Sequence, residues 1–332
     1  MRALLFDQPA ADTSTTRVGE VATPEPGPGE VAIDVRAAGV NFIDVMARRG
    51  DPGYATGWPF VPGLEVAGTV RALGTGVSGP AVGTPVAAFT ATGGLAEVAV
   101  VRGELVVEIP AGLSFEQAAV APGTLTTAAL LLGPTGRLRE GDSVLVHSAA
   151  GGVGQALASL ARLYGAGLLL GTVGGAGRAA AAEKAGYDAV VVRGDGIVDR
   201  VRELTGGRGV DLILDPQGTD WIDTDLELVA AGGRIVLFGN AGGTPLASLP
   251  AAGKLFGGNA AIGGFSIRGY AAKAPWMVAE ALTEVLQRLS RGELRVEPTV
   301  VDGLEHAAEA QQALAEGRGE GKYVVRLGAD LS

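Results

Sequence analysis

The stretch Ser148-Ala149-Ala150-Gly151-Gly152-Val153-Gly154 places small residues and glycines directly after a short apolar run, SVLVH at 143–147. Glycine at 151 lets a backbone approach a charged oxygen, and glycine at 154 lets a following helix pack close to the strand before it. The N–H groups of such a helix start attract phosphate. The string matches the dinucleotide fingerprint G-x-G-x-x-G with Ala149 at its first glycine, so Ala150, Gly151, Gly152, Val153 and Gly154 are the expected pyrophosphate cradle. A plain tight turn is the competing explanation, and it is disfavoured by the strand and helix patterns on either side. A site for an unphosphorylated ribose places Asp or Glu at the end of the second strand, about 20 residues on. Here that stretch is LGTVGG, with Thr172 and no acid, and Arg178 and Arg193 follow. Cations in this place suit a 2′-phosphate, so NADPH is expected over NADH; solvated surface arginines are the alternative.

Composition limits what else the chain can do. Its 332 residues, 47% of them apolar, suffice for two domains with their own cores. The 54 glycines show no fixed period and punctuate apolar runs, which reads as turns and not as collagen or linker. A formal charge of -10 without any Lys/Arg cluster argues against nucleic acid or an anionic membrane as partner. With no cysteine, disulfides, thiolate catalysis, Cys-ligated zinc and iron–sulfur clusters are excluded. His147 and His306 are the two histidines, and both are read as structural. The N-terminus opens into a strand at 2–6 without a basic region and apolar stretch, and no apolar run reaches about 18 residues. A cytoplasmic location is the expectation.

The elements that must position these residues follow from periodicity. Residues 31–110 carry short β-rich runs cut by Gly and Pro (VAIDVRAAGV, LEVAGTV, TPVAAF, LAEVAVV, LVVEIP), the grammar of a barrel-like β-domain. Ser114 with Gln117 forms a capping box that opens a short helix, broken at Pro122 and Gly123. From 143 strands alternate with helices: SVLVH, a helix over 152–164, LLLGT, a helix over 178–185, AVVV, a helix near 199–204, VDLILD, a helix over 221–230, RIVLFG, and a last strand at 260–265. Apolar strands alternating with helices predict a parallel sheet covered on both faces. Val153, Ala156, Leu157, Leu160, Ala161 and Tyr164 form the buried stripe of the first of these helices. Val278, Ala281, Leu282, Val285, Leu286 and Leu289 mark a later amphipathic helix stopped by Gly292. Asp302 with Glu305 reads as another capping box, and YVVRL closes the chain as a strand.

Over nearly its whole length the chain resembles the zinc-independent quinone oxidoreductase branch of the medium-chain dehydrogenase/reductase family. The segments that carry the resemblance are GVNFIDVMARRG (39–50), PFVPGLEVAGTV (59–70), GDSVLVHSAAGGVGQA (141–156), GGRIVLFGN (232–240) and GEGKYVV (319–325). It implies an α/β fold in which a doubly wound Rossmann sheet is inserted into a β-rich, GroES-like catalytic domain. The expected division is 1–121 and 267–332 for the catalytic domain and 122–266 for the dinucleotide-binding domain. Cofactor and substrate are expected to share the cleft between domains, and a homodimer is expected through the last Rossmann strand. Zinc-dependent relatives carry Cys where this chain has Asn41 and His where it has Leu64, just before Glu65, and neither replacement can bind zinc as they do.

Without a Lewis acid to polarise an alcohol, the resemblance implies hydride transfer from NADPH to an acceptor already activated, a quinone or an α,β-unsaturated carbonyl. Asn41 matches the family's active-site Asn, whose amide would donate to the nicotinamide ribose region or the substrate oxygen; a turn-forming Asn is the alternative. Asp44 belongs to the same motif, as a catalytic group or a loop anchor. Met46 stands where several relatives carry Tyr and is expected in an apolar substrate pocket, with Tyr54 as replacement phenol donor. Thr127 matches a Thr near the nicotinamide. Phe238, Gly239 and Asn240, and Phe265, Ser266 and Ile267, match segments that meet the nicotinamide carboxamide, and Lys322 falls where relatives place a cation near the cofactor. An enoyl-thioester reductase is a second reading, because GVNFIDV and VLVHSAAGGVG also resemble polyketide enoyl reductase domains; Arg48 and Arg49 are the nearby basic pair it would need. A third is an NADPH-binding sensor or structural protein without turnover.

Overall fold

The apolar runs of the middle of the chain become strands whose residues are buried on both faces, as in Val144–Val146, Leu169–Val173 and Val210–Asp215. The computed structural model describes residues 1–250, 252–319 and 321–328, so Glu320 of the GEGK segment and the last four residues of the expected catalytic domain lie outside it. The chain divides into one unit of Met1–Thr126 with Ile267–Ser332 and another of Thr127–Ser266.

In the second unit six strands form one parallel sheet, in the spatial order Ala189–Val192, Leu169–Val173, Val144–Val146, Val210–Asp215, Val229–Leu237, Ala261–Gly264. The chain order reverses beside Val144–Val146, which makes a doubly wound Rossmann sheet whose switch point is the end of that strand. Leu145, Leu170, Val201, Ile213, Leu228 and Ile235 pack into its core. The helix Gly152–Leu163 buries Gly154, Ala156, Leu157, Ala158, Leu160 and Ala161; Val153 and Tyr164, expected in that stripe, are half-buried. Gly154 is required here, because a Cβ on it would lie 2.6 Å from the carbonyl oxygens of Ser148 and Ala149.

The first unit carries a seven-stranded, mostly antiparallel sheet in which Glu30–Gly39 pairs with Glu65–Leu73, Val98–Arg102 and Tyr323–Arg326. This is the GroES-like β-domain, closed by a strand from the far end of the chain. Arg2–Phe6 pairs with Thr16–Glu20 in a separate two-stranded sheet. All six residues of the stripe from Val278 to Leu289 are buried along the helix Pro275–Ser290. A helix that periodicity did not reveal, Phe42–Arg49, starts at Asn41; eight residues are too few to display a period.

Two expectations are corrected. The helix opened at Ser114 does not break at Pro122 and Gly123, but runs on through two π-helical turns, Ala121–Leu125 and Leu131–Thr135. The wide turn tolerates the missing proline N–H, and the Thr126 hydroxyl bonds the Ala121 carbonyl at 2.9 Å. The run Phe115–Thr135, at mean hydropathy 1.2, is therefore long and apolar enough to cross a membrane, but 83% of that window is buried inside the protein. The second correction concerns Asp302, which ends a strand and pairs with Arg326 at 2.8 Å instead of capping a helix. Gly303, at φ +83°, separates it from the short 3-10 turn Leu304–His306. The Ser114–Gln117 box forms as expected, the Gln117 N–H donating to Ser114 Oγ at 3.2 Å and the Ser114 N–H to Gln117 Oε1 at 3.0 Å.

Candidate active site

In the Rossmann unit the strand Val144–Val146 runs into His147 and Ser148, and Ser148 adopts φ +58° to reverse the chain. Gly151 is the N-cap of the helix Gly152–Leu163. The N–H groups of that helix's first turn have no carbonyl within the helix to bond, so they present positive partial charge to whatever lies before them. Both arginines singled out in the sequence are tied into this turn. Arg178 Nη2 donates to the Ala150 carbonyl at 3.2 Å, and Arg193 Nη1 to Ser148 Oγ and Thr172 Oγ1, each at 3.4 Å. Burial pushes the Arg193 guanidinium down from its usual range, with Asp215 acting against that shift. Thr172 is fully buried, its hydroxyl 2.7 Å from His147 Nδ1, so it supports Arg193 from within the protein instead of facing solvent as a cofactor contact.

Phe238 and Phe265 continue the ends of the last two strands, their N–H groups donating to the Asp215 and Leu237 carbonyls at 2.9 Å each. Gly239 passes close to Pro216, whose carbonyl would stand 2.9 Å from an added Cβ, and Asn240 Nδ2 donates to the Thr244 carbonyl at 2.9 Å. Ser266 ends this unit, Ile267 begins the helix Ile267–Lys273 of the other, and Thr127 lies buried in the helical segment Thr126–Leu130.

In the β-rich unit, Asn41, Glu65 and Lys322 meet in a buried knot. Lys322 Nζ donates to the Val40 carbonyl at 2.9 Å and Asn41 Oδ1 at 2.6 Å, and it pairs with the Glu65 carboxylate. Asn41 Nδ2 donates to Glu65 Oε1 at 2.8 Å and the Gly39 carbonyl at 3.3 Å. Glu65 Oε2 accepts the Gly123 N–H at 2.6 Å. This is the use of the π-turn at Pro122-Gly123: it aims a backbone donor at a buried carboxylate. Gly39 and Gly123 flank Glu65 so closely that a Cβ on either would stand under 3 Å from its carboxyl group.

The knot revises the roles expected of two residues. Lys322, expected beside the cofactor, directs its ammonium to Val40, Asn41 and Glu65 and so fixes Asn41. Both hydrogens of the Asn41 amide are likewise held inward. Glu65 carried no signal of its own in the sequence beyond following Leu64, and its partnership with Lys322 joins distant parts of the chain. The donor set does not fit zinc: Glu65 is occupied by the ammonium, and Asn41 and Leu64 offer neither thiolate nor imidazole. Among the described residues no group of three or more His, Cys, Asp or Glu could hold a metal ion.

Asp44 joins the knot to a small cavity. Its Oδ2 accepts the Asn41 N–H at 2.8 Å and its Oδ1 the Gly63 N–H at 3.0 Å. The cavity, about 10 Å³, is lined by Ile43, Asp44, Ala47, Tyr54, Leu64 and Arg268 among others, and is the size of a single water. Tyr54, expected as a replacement phenol donor, lines this cavity with Asp44. Met46 does not: it is 5% exposed and the wall takes Ile43 and Ala47 from its helix instead. Burial pushes the Tyr54 phenol upward, Asp51 adds to the rise, and Arg268 and Arg49 oppose it.

Burial lifts the Asp44 carboxyl to about 6, against the Asn41 and Gly63 N–H groups and Lys322, with Glu65 adding to the rise. The unfolded chain titrates near ~3.9. The folded protein therefore holds this proton more tightly, and the stability it contributes is complete below the unfolded value and lost as pH rises through about 6. Asp44→Asn cannot titrate. Urea unfolding should show the stability advantage of wild type over this variant shrinking by roughly 2 kcal/mol between about pH 4 and about pH 7; a gap independent of pH would contradict the assignment.

Comparison with known proteins places this geometry. Residues 152–288 match the zinc-binding dehydrogenase family model and residues 27–111 the alcohol dehydrogenase GroES-like domain. The chain is 35% identical over 310 residues to a quinone oxidoreductase of Pseudomonas aeruginosa, covering 91% of this chain and 92% of that one. It is 39% identical over 226 residues to the synaptic vesicle membrane protein VAT-1 homolog-like of Mus musculus, covering 68% of this chain and 53% of the relative, so the match spans about half that protein's length. The crystal structure of the Escherichia coli quinone oxidoreductase complexed with NADPH aligns with a TM-score of 0.89 at 28% identity, covering 98% of this chain and 100% of that one. With both domains matched, and with Asn41 and Leu64 at the positions of the zinc ligands, this chain belongs to the zinc-independent quinone oxidoreductase branch of the medium-chain dehydrogenase/reductase family.

Proposed function

We propose that this chain is an NADPH-dependent reductase that transfers hydride to a quinone or to an alkene conjugated with a carbonyl. The observation that carries the reading is the turn at 148–154, a helix start with an obligatory glycine and two arginines bonded into it. Such a turn fits a pyrophosphate, and the arginines beside it fit a 2′-phosphate. The relative complexed with NADPH and the relatives named quinone oxidoreductase support it. The bound dinucleotide supplies the hydride.

What the chain's own residues contribute is support for the charge that develops on the acceptor oxygen. Tyr54 lines the cavity beside Asp44, and its phenol hydroxyl can donate a hydrogen bond to that charge. Asn41 and Lys322 hold the helix start that carries Asp44. With an ammonium engaging Glu65 where zinc-dependent relatives hold their metal, no set of the described residues fits a zinc ion, which supports an acceptor that arrives already polarised.

The enoyl-thioester reading needs cations for a carrier or coenzyme A phosphate. Arg48 is fully buried, and Arg49 is engaged by Asp51 Oδ2 at 2.5 Å, which disfavours it. A homodimer is part of the proposal: Ala261–Gly264 is an edge strand, largely exposed, and Phe256 beside it is 87% exposed. Light scattering that gives the mass of one chain would remove that element.

The purified chain should be assayed with NADPH and NADH against an ortho-quinone, a simple enone and crotonyl-coenzyme A, following the nicotinamide absorbance. NADPH with the quinone or the enone is expected to give kcat/KM at least about tenfold above every other combination. A thioester preference would install the enoyl-thioester reading, and tight NADPH binding without turnover on any acceptor would leave a binding protein.

A further inference from the structure

Beneath the coenzyme turn lies a set of polar side chains that the proposed chemistry does not use. His147 is 1% exposed, and Thr172, Asp215 and Asp225 are fully buried. Burying such groups is costly unless each is bonded. Three of them form a line: Thr172 Oγ1 is 2.7 Å from His147 Nδ1, and His147 Nε2 is 2.9 Å from Asp225 Oδ1. Trp221 flanks the imidazole at 6.0 Å between ring centres.

The chemistry of the end groups sets the direction of the line. A carboxylate only accepts, so Nε2 carries the hydrogen donated to Asp225, and the tautomer that does so leaves Nδ1 to accept. The Thr172 hydroxyl then gives its hydrogen to His147 and turns its lone pairs outward, toward Arg193 Nη1 at 3.4 Å. The donors of Arg193, Thr172 and His147 all point toward Asp225, an arrangement in which each bond polarises the next. The same Nη1 reaches Ser148 Oγ, which also accepts from Gln217 Nε2 at 2.7 Å. The guanidinium passes over Gly174, where a Cβ would stand 3.2 Å from Nη2. It is thereby pinned by Nη1 at the end of the second strand, with the rest of its fork of five N–H donors directed elsewhere.

We infer that Asp225, His147 and Thr172 are positioning residues for coenzyme choice: they hold Arg193 where it discriminates a phosphorylated from an unphosphorylated adenosine ribose. The inference rests on the NADPH reading above and adds the device that enforces it. Carboxylate, imidazole and hydroxyl do not touch the coenzyme; they orient a side chain that does.

The test is equilibrium binding of NADPH and NADH to wild type, Thr172→Val, Thr172→Ser and Arg193→Gln, with thermal melting of each. Valine keeps the shape and removes the hydroxyl, while serine restores it. The ratio of the NADH and NADPH dissociation constants should fall about tenfold in Thr172→Val, the loss of one hydrogen bond to a charged group, and recover in Thr172→Ser. In an Arg193→Gln background Thr172→Val should have no further effect on the ratio. A wild type that prefers NADPH while Thr172→Val keeps the same ratio, or weakens both coenzymes equally, overturns this inference alone. A wild type without preference overturns the coenzyme reading and the inference together. If Thr172→Val does not fold, His147→Phe, which removes both ring nitrogens, is read in the same way.

Discussion

Lys322 and Glu65 are both withdrawn from water, and neither could remain there by itself, since an unpaired buried ion costs several kcal/mol. Their pairing ties together segments that the chain order keeps apart: the loop before the closing strand Tyr323–Arg326, the start of the strand Glu65–Leu73, the start of the helix Phe42–Arg49 and the π-turn at Gly123. Asn41 bridges the two charges, accepting from the ammonium and donating to the carboxylate. The glycines at 39 and 123 follow from this constraint, because any side chain there would collide with the carboxyl group. So does the cavity beside Asp44, whose carboxyl is fixed by the Asn41 and Gly63 N–H groups.

The same pairing decides what chemistry is open to the site. A zinc ion with an open position polarises a substrate oxygen directly. An ammonium whose donors go to Val40, Asn41 and Glu65 cannot. On the function proposed above, charge that develops on an acceptor would be met by groups such as the Tyr54 phenol, and the acceptor would carry its own activation. Medium-chain relatives built on the same two domains can thus run different reactions, since the fold supplies the scaffold and a few side chains supply the reactivity.

Much of the fold was legible because burial writes a period into the sequence. The stripe along Pro275–Ser290, the apolar strands of the Rossmann sheet and the glycine turn each satisfy a local rule, and each appears where that rule puts it. Local rules failed where distant contacts outweighed them. Asp302 had the spacing of a cap but was taken by Arg326, and Pro122-Gly123 had the look of a break but was absorbed by a π-turn that serves Glu65. Family motifs pointed to Asn41 and Lys322 separately but not to the contact between them, and nothing near Thr172 announces Asp225. Such pairs are set by tertiary proximity, which periodicity does not encode. Met46 illustrates the limit, its type suggesting a pocket wall while its position on the helix turns it into the core.

The most direct measurement of the account is turnover of an activated acceptor with NADPH after exhaustive chelation, with the metal content of the enzyme determined in the same sample. If the Lys322–Glu65–Asn41 knot stands in place of a metal centre, the metal-free enzyme keeps its full rate and added zinc does not raise it. Activity that disappears with the chelator and returns with stoichiometric zinc would contradict the central claim.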